Sequence, residues 1–175
     1  NNDGAGYIQS LRDADATWHG DAGPALVLGA GGAARAIVVA LLDEGVPELR
    51  ITNRTLERAQ ELANDFGDRV KVVPWAERNE AMAGVSLLVN TTTMGMHGQP
   101  PLDVALDALP LAAMVSDAIY IPMETPLLTQ ARLRGQRTVN GLGMLINQAR
   151  PAFASWFGVM PDITPELRAA IQATF

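Results

Sequence analysis

The chain has 175 residues, 48% of them hydrophobic, with a formal net charge of −6 and no cysteine. This length and composition are typical of one globular domain, and no apolar run approaches the roughly 18 to 20 residues that span a bilayer, which favours a cytoplasmic protein. The lack of cysteine excludes disulfides and thiol-ligated metals. The acidic net charge argues against a nucleic-acid-binding surface. The two histidines, His19 and His97, are too far apart in sequence to predict a metal site.

Apolar residues at helical spacing, Tyr7, Ile8 and Leu11, predict a first helix over residues 4–15. Asp3 precedes that helix, at a position where an N-cap carboxylate can accept hydrogen bonds from first-turn N–H groups. The chain starts with neither an initiator methionine nor a signal peptide. We therefore expect it to be a fragment of a longer sequence.

A glycine-rich turn follows the first predicted strand. Residues 25–28 are apolar, the turn GAGG follows at 29–32, and small residues then open a helix over 33–42. Gly29 allows the sharp turn, and Gly31 lacks a Cβ, so the backbone can approach a pyrophosphate closely. The helix N-terminus adds free N–H groups and a partial positive charge. This pattern predicts that a dinucleotide's phosphates are bound by Gly29, Ala30, Gly31, Gly32, Ala33 and Ala34; the alternative is a tight turn that binds no ligand.

The end of the second predicted strand indicates which dinucleotide binds. Residues 49–52 form that strand, and Asn53-Arg54-Thr55 follows, with Arg58 one helical turn beyond Arg54. Domains that bind NAD usually carry Asp or Glu here for the ribose 2′-hydroxyl, whereas two guanidinium groups and a hydroxyl suit a 2′-phosphate. We therefore predict NADP, bound through Asn53, Arg54, Thr55 and Arg58. The alternative is a solvated basic start to a helix, which the helix dipole disfavours.

The rest of the chain alternates between predicted strands and helices. Strands are predicted over 70–73, 85–89, 113–119 and 138–140, and helices over 56–66, 75–84, 102–109, 126–134, 141–157 and 161–175. Together with the two earlier strands, this order predicts an α/β fold, a Rossmann-like, doubly wound parallel sheet of about six strands in a three-layer α/β/α arrangement.

Polar residues follow the fourth predicted strand directly, in the sequence Asn90-Thr91-Thr92-Thr93. Ligands of open parallel sheets bind beyond the carboxyl ends of the strands, and short hydroxyl and amide side chains can hydrogen-bond a ribose or a nicotinamide amide. Thr91 and Thr92 are therefore further candidates for cofactor contact. The alternative is a polar loop that caps the following turn, and His97 beyond it is interpreted as a solvated loop residue.

Four sequence blocks resemble one family, the shikimate dehydrogenases. They are residues 1–6 (NNDGAG, similar to the family's N-T-D-G-x-G), 29–36 (GAGGAARA), 53–59 (NRTLERA) and a run from Asp117 to Gln148 that contains DAIY, TPLL and GLGMLINQ. The blocks stand in the family's order over nearly the whole chain, which makes chance similarity a poor explanation.

The resemblance implies reversible hydride transfer between NADPH and a small-molecule substrate, 3-dehydroshikimate, giving shikimate and NADP. The family's catalytic pair is a lysine and an aspartate, and the aspartate block matches Asp3, which implies a proton-transfer role for that residue. Further roles that the resemblance implies are substrate contacts by Asp3, Tyr120 and Gln148, and nicotinamide-side contacts by Thr92, Ile119, Gly141 and Met144. The structural alternatives are a helix cap for Asp3, packing for Tyr120 and a solvated helix position for Gln148.

Two features depart from the family pattern. The family block has Thr where this chain has Asn2, and the family's catalytic lysine lies in an N-terminal substrate domain without a counterpart here, since Lys71 does not match its motif. We therefore expect residues 1–175 to be the NADP-binding domain, inactive alone, with the helices of 1–20 and 141–175 packing toward a substrate domain. The alternatives are a quinate/shikimate dehydrogenase or related paralogue and a non-catalytic NADP-binding module; a homodimer is left open.

Overall fold

The computed structural model describes residues 1–174, which form one sheet flanked by helices. The strands are β1 (Ala25–Leu28), β2 (Leu49–Thr52), β3 (Val70–Val72), β4 (Leu87–Asn90), β5 (Met114–Asp117) and β6 (Thr138–Val139). The helices are α1 (Asp3–Ala14), α2 (Gly32–Asp43), α3 (Leu56–Asn64), α4 (Pro126–Leu133), α5 (Gly141–Phe157) and α6 (Pro165–Gln172). No helix within residues 1–174 is long and apolar enough to cross a membrane.

All six strands are parallel and lie in the order β3-β2-β1-β4-β5-β6. This order confirms the predicted Rossmann-like, doubly wound sheet. The chain leaves β1 toward β2 on one side, while β4 pairs with β1 on the other, so the strand order reverses between β1 and β4. The connections diverge at such a reversal and leave a crevice above the carboxyl ends of the strands, where ligands of these sheets bind.

Two apolar clusters cover the two faces of the sheet, because successive side chains of a strand point to opposite faces. In β1, Ala25 and Val27 join the cluster that contains residues of α1, α2 and α3, whereas Leu26 and Leu28 join the cluster beneath α4. All four side chains are fully buried. The sheet is therefore covered on both faces, which confirms the three-layer arrangement.

Helices α1 and α5 come from opposite ends of the chain and pack against one another at glycines. A Cβ added to Gly6 would lie 2.6 Å from the backbone nitrogen of Gln148, and a Cβ added to Gly143 would lie 2.8 Å from Ser10 Cβ. The absence of side chains at both glycines thus allows the close approach. Tyr7 on α1 is buried in the same region.

The predicted helix over 102–109 is wrong, because the segment is held by a side chain of another loop. The Ala105 N–H donates to Asn79 Oδ1 at 3.1 Å instead of to a carbonyl one helical turn before it. Leu106 and Leu109 are buried through a single turn, in which the Leu109 N–H donates to the Leu106 carbonyl at 3.0 Å. Leu106 and Leu109 are three residues apart, so a single turn buries both and gives the same apolar spacing as a helix.

The predicted helix over 75–84 is also wrong, and 3-10 turns at Trp75–Glu77 and Glu80–Met82 replace it. Arg50 Nη1 donates to the carbonyls of Ala81 and Ala83, at 2.7 and 2.8 Å. These backbone acceptors are therefore occupied by a side chain from β2, not by a continuing helix.

Helix α1 begins one residue earlier than predicted. Asn2 is its N-cap, without a side-chain capping bond, and the Asp3 N–H donates to Asn1 Oδ1 at 2.7 Å. Because Asp3 is itself in the first helical turn, its interpretation as the N-cap is wrong. Within the segment 161–175, α6 begins at Pro165, as the Thr164-Pro165-Glu166 signal predicts, and ends at Gln172. Phe175 lies outside the described residues.

Candidate functional site

The carboxyl ends of four neighbouring strands lie at one level. The register pairs Leu28 with both Thr52 and Asn90, and Asn90 with Asp117. The loops that follow these residues therefore meet along one edge of the sheet, and most of the predicted site residues lie in them or in the helices that they begin.

The glycine turn after β1 leaves open space beside free backbone donors. Gly29 has a φ of 109°, and a Cβ there would lie 2.5 Å from Thr91 Oγ1, so both conformation and crowding require glycine. Gly31 and Gly32 differ, because a Cβ on either would meet no atom within 4 Å. Gly31 is the N-cap of α2, where no side chain caps the helix and no acidic residue lies in the first turn. The first-turn N–H groups of Gly32, Ala33 and Ala34 are thus available to an anion.

A shallow cavity of about 320 Å³ extends from this turn to Arg58, one of the four predicted 2′-phosphate residues. Its lining includes Ala30, Gly31 and Gly32 on one side and Arg58 on the other. Arg54 and Arg58 are both exposed, and within residues 1–174 neither guanidinium has a hydrogen bond or an ion pair. Two uncompensated cations next to a helix N-terminus are electrostatically unfavourable unless an anion binds between them.

The residues around Arg54 shape the turn that presents it. Asn53 Nδ2 donates to the Thr55 carbonyl at 2.8 Å, and Thr55 is the N-cap of α3 without a side-chain capping bond. Arg35 of α2 lines the same cavity and donates to Asp65 Oδ2 at 2.6 Å. Arg35 is not among the site residues predicted from the sequence, although its place in the first turn of α2, directly after the glycine turn, is a usable signal.

In the loop after β4, the hydroxyl groups of Thr91 and Thr92 donate their hydrogen bonds to acceptors of the protein itself. Thr91 Oγ1 donates to the Leu28 carbonyl at 2.8 Å, and Thr92 Oγ1 donates to Asn90 Oδ1 at 2.7 Å. Asn90 itself is fully buried. The hydroxyl donors and the backbone N–H groups of Thr91 and Thr92 are therefore used internally, and Thr92 Oγ1 also accepts from the Met94 N–H at 3.1 Å. This leaves their backbone carbonyls and remaining lone pairs for a ligand.

The loop after β5 carries Ile119 and Tyr120 and contacts the start of α5. The Gly141 N–H donates to the Ile119 carbonyl at 2.9 Å, and a Cβ on Gly141 would overlap the Ala118 carbonyl oxygen. One turn later, Met144 packs half-buried against the core. Ile119 and Gly141, which the resemblance assigns to the nicotinamide side, are therefore neighbours in the structure, and Met144 follows them on α5.

The three residues predicted to contact substrate lie on α1, on α5 and in the loop after β5. Asp3 is half-buried, and its carboxylate has no hydrogen bond or ion pair to any residue in 1–174. Gly6, one turn after Asp3, lies directly against the backbone of Gln148. The side chains of Gln148 and Tyr120 are half-buried. The packing of α1 on α5 thus brings the Asp3 and Gln148 segments together.

A buried carboxylate that the sequence reasoning did not assign to the site, Asp117, lies below these loops. It is 1% exposed and accepts hydrogen bonds from Asn90 Nδ2 at 3.0 Å, the Ile119 N–H at 3.1 Å and Thr125 Oγ1 at 2.7 Å. No cation among the described residues pairs with it. Burial raises the pKa of Asp117 to about 6, although the three hydrogen bonds oppose the shift. The available signal was an ionisable residue within the predicted strand 113–119.

The raised pKa of Asp117 predicts a specific pH dependence of stability. Folding favours the protonated carboxyl of Asp117. The contribution of this group to the free energy of unfolding is therefore complete below about pH 4 and is lost as the pH rises through about 6. Asparagine does not titrate in this range. When the pH is raised from 4.5 to 7, the free energy of unfolding of Asp117→Asn should therefore increase by about 2 kcal/mol relative to that of the unsubstituted chain. Urea titrations of both proteins at the two pH values measure this difference. A difference that does not change with pH would show that Asp117 keeps an ordinary pKa.

Two family models match this chain. The model described as "Shikimate / quinate 5-dehydrogenase" matches residues 18–97, and "Shikimate 5'-dehydrogenase C-terminal domain" matches residues 141–172. The curated shikimate dehydrogenase (NADP(+)) of Paramagnetospirillum magneticum is 52% identical over 171 residues, which is 98% of this chain and 62% of that protein. The chain thus spans about three-fifths of the length of the curated relative.

Solved structures resemble the fold over the same extent. The quinate dehydrogenase of Corynebacterium glutamicum in complex with NAD superposes with a TM-score of 0.88 at 31% identity, over 99% of this chain and 62% of that one. The shikimate 5-dehydrogenase of Thermus thermophilus in complex with NADP(H) and shikimate gives a TM-score of 0.82 at 34% identity, over 99% and 62%.

Proposed function

Because this chain belongs to the shikimate dehydrogenase family, we propose that it is the NADP-binding part of an enzyme that interconverts 3-dehydroshikimate and shikimate. The observation that carries the proposal is the combination of an uncapped α2 N-terminus, open space at Gly31 and Gly32, and two arginines without partners. A dinucleotide with a pyrophosphate and a 2′-phosphate supplies anions to both places.

In this proposal the two halves of the cofactor are bound by different residues, at opposite ends of the crevice. The backbone of residues 29–34 binds the pyrophosphate, and Asn53, Arg54, Thr55 and Arg58 surround the 2′-phosphate. The nicotinamide side is formed by Thr91, Thr92, Ile119, Gly141 and Met144. The bound cofactor supplies or accepts the hydride.

On the substrate side, Asp3 holds or moves a proton at the oxygen that changes between carbonyl and hydroxyl. Its carboxylate is free of intramolecular hydrogen bonds to the described residues, so it can act on a ligand. Gln148 and Tyr120 bind substrate hydroxyl groups from the neighbouring helix and loop. A lysine outside this chain completes the catalytic pair in this proposal.

We also propose that the helices within 1–20 and 141–175 pack toward a substrate domain. The end of α5 and the segment after it expose large apolar side chains: Trp156 is 77% exposed, Phe157 67% and Met160 53%. Contiguous exposed apolar residues of this kind usually mark an interface. The longer relatives, of which this chain covers about 62%, have additional length that can supply the partner surface.

A quinate dehydrogenase is the second candidate, supported by the similarity to the quinate dehydrogenase of Corynebacterium glutamicum. That structure is a complex with NAD, whereas Arg54 and Arg58 of this chain favour a 2′-phosphate. A non-catalytic NADP-binding module would have no need for the unpaired carboxylate of Asp3. The NADP-dependent shikimate enzyme therefore accounts for more of the site.

The cofactor site can be tested in the chain itself with Gly31→Ala. Its φ of −93° is acceptable to alanine, and the new methyl group meets no protein atom within 4 Å, so stability should be unchanged. The methyl group occupies the space proposed for the pyrophosphate, so NADPH affinity should fall about 10-fold. Fluorescence titration with NADPH measures the affinity, and urea unfolding is the control. Unchanged affinity in a stable variant would exclude this position for the phosphates.

A further inference from the structure

We propose that Asp117 is a positioning residue that organises the nicotinamide side of the cofactor site by holding the loops 91–96 and 118–125 together. The inference rests on the proposed function, because it assumes that a dinucleotide binds across this edge of the sheet. It assigns a role to a side chain that lies below the site and touches neither cofactor nor substrate.

The hydrogen bonds of Asp117 fix the loop 118–125 at both of its ends. Its Oδ1 accepts from the Ile119 N–H at 3.1 Å, at the start of the loop, and its Oδ2 accepts from Thr125 Oγ1 at 2.7 Å, at the end. Thr125 is also the N-cap of α4, where its hydroxyl accepts from the Leu128 N–H at 3.4 Å. One carboxylate thus sets both the departure of the chain from β5 and its entry into α4.

Asn90 extends the same network to the loop 91–96. Its Nδ2 donates to Asp117 Oδ1 at 3.0 Å and to the Met94 carbonyl at 3.3 Å, and its Oδ1 accepts from the Thr92 N–H at 3.0 Å. Asn90, Asp117 and Thr125 are each at most 1% exposed, so these bonds do not compete with water. Asp117 is therefore linked to Thr92 through Asn90 and to Ile119 directly.

Asp117 is the acceptor in all three of its hydrogen bonds. An ionised carboxylate accepts from all three donors, whereas an asparagine would present an NH₂ group to one of them. Burial raises the pKa of Asp117, so keeping this carboxylate ionised near neutral pH reduces the stability of the fold. Burial of a carboxylate without a cation is unfavourable, which argues for a contribution of Asp117 to the arrangement of the site.

The network stops short of the phosphate side. None of its hydrogen bonds reaches residues 29–34 or the 2′-phosphate residues after β2. The proposal therefore predicts a divided effect. A change at Asp117 should weaken the binding of the nicotinamide half of the cofactor and leave the binding of the adenosine half unchanged, whereas general loosening of the fold would weaken both.

The test compares two ligands on this chain by isothermal titration calorimetry: NADP, and adenosine 2′,5′-bisphosphate, which lacks the nicotinamide half. Asp117→Asn and Thr125→Val should each lower NADP affinity about 10-fold and leave the bisphosphate affinity within about twofold. Thr125→Ser retains the hydroxyl and should retain both affinities. If Asp117→Asn does not fold, the comparison of Thr125→Val with Thr125→Ser decides the question.

Two results would overturn the inference while preserving the proposed function: equal losses for both ligands, or no loss for NADP, in folded variants. If the unsubstituted chain binds neither NADP nor adenosine 2′,5′-bisphosphate, the proposed cofactor function is wrong and the inference is wrong with it.

Discussion

Replacement of Asp3 by Asn should lower turnover by about 100-fold or more, because a positioned acid–base group contributes about 10² to 10⁴ to rate. The measurement uses a protein that joins this chain to the additional length its relatives have. Steady-state assays with shikimate and with quinate, each with NADP and NAD, give kcat and KM. NADPH affinity should change little, since Asp3 lies on α1 while the proposed phosphate contacts lie on α2 and after β2.

Asp68→Asn is a matched control for Asp3→Asn. Asp68 is also a carboxylate without a hydrogen bond among the described residues, but it is exposed in the turn before β3, at the opposite edge of the sheet. Its replacement should leave kcat unchanged. If Asp3→Asn retains full turnover, the acid–base role is wrong, and Asp3 contributes only to the first turn of α1. Turnover with quinate and not with shikimate would instead support the second candidate function.

Arg54→Ala should remove most of the discrimination between NADPH and NADH. A charge-assisted hydrogen bond is worth about 2 kcal/mol, so NADPH affinity should fall about 30-fold. NADH has no 2′-phosphate, so its affinity should remain within about twofold of the unsubstituted value. Fluorescence titrations of this chain with both reduced cofactors measure the ratio directly. The loss should be smaller at high salt, because an exposed guanidinium is screened.

Arg168→Ala is the control for Arg54→Ala. Arg168 also lacks an ion pair among the described residues, but it lies on α6. Its replacement should affect neither cofactor. Equal binding of NADPH and NADH by the unsubstituted chain would contradict the 2′-phosphate assignment, and an equal loss of both in Arg54→Ala would show that Arg54 binds another part of the dinucleotide.

The parallel sheet was largely predictable because its strands are short apolar runs between strong turn signals. Residues 25–28 and 49–52 form strands with the bounds that the sequence predicts, and Thr125-Pro126 begins α4 as predicted. In each case the signal is local, since the residues that define the element are its immediate neighbours. The helix predicted over 102–109 is wrong because the Ala105 N–H bonds to Asn79, a residue far away in sequence.

The same distinction applies to the site. The glycine turn could be recognised in the sequence because phosphate binding, the role proposed for it, requires particular residue types at fixed spacing, and the structure adds the open space beside Gly31. The positioning role proposed for Asp117 could not be predicted from the sequence, because it depends on the pairing of Asn90 with Asp117 across two strands. That pairing is set by the order and register of the strands, and neither can be deduced from the two residues themselves.

The glycine contacts between α1 and α5 have a consequence for the order in which the chain can fold. Gly6 meets Gln148, and Ser10 meets Gly143, so each contact joins segments that are synthesised far apart in time. Tyr7 and Leu11 are buried in the finished protein, but they must await the late helix before their cover is complete. Contacts between such distant segments form slowly, because the chain must first close a long loop. The helix that bears Asp3 therefore gains its full support only when α5 packs against it.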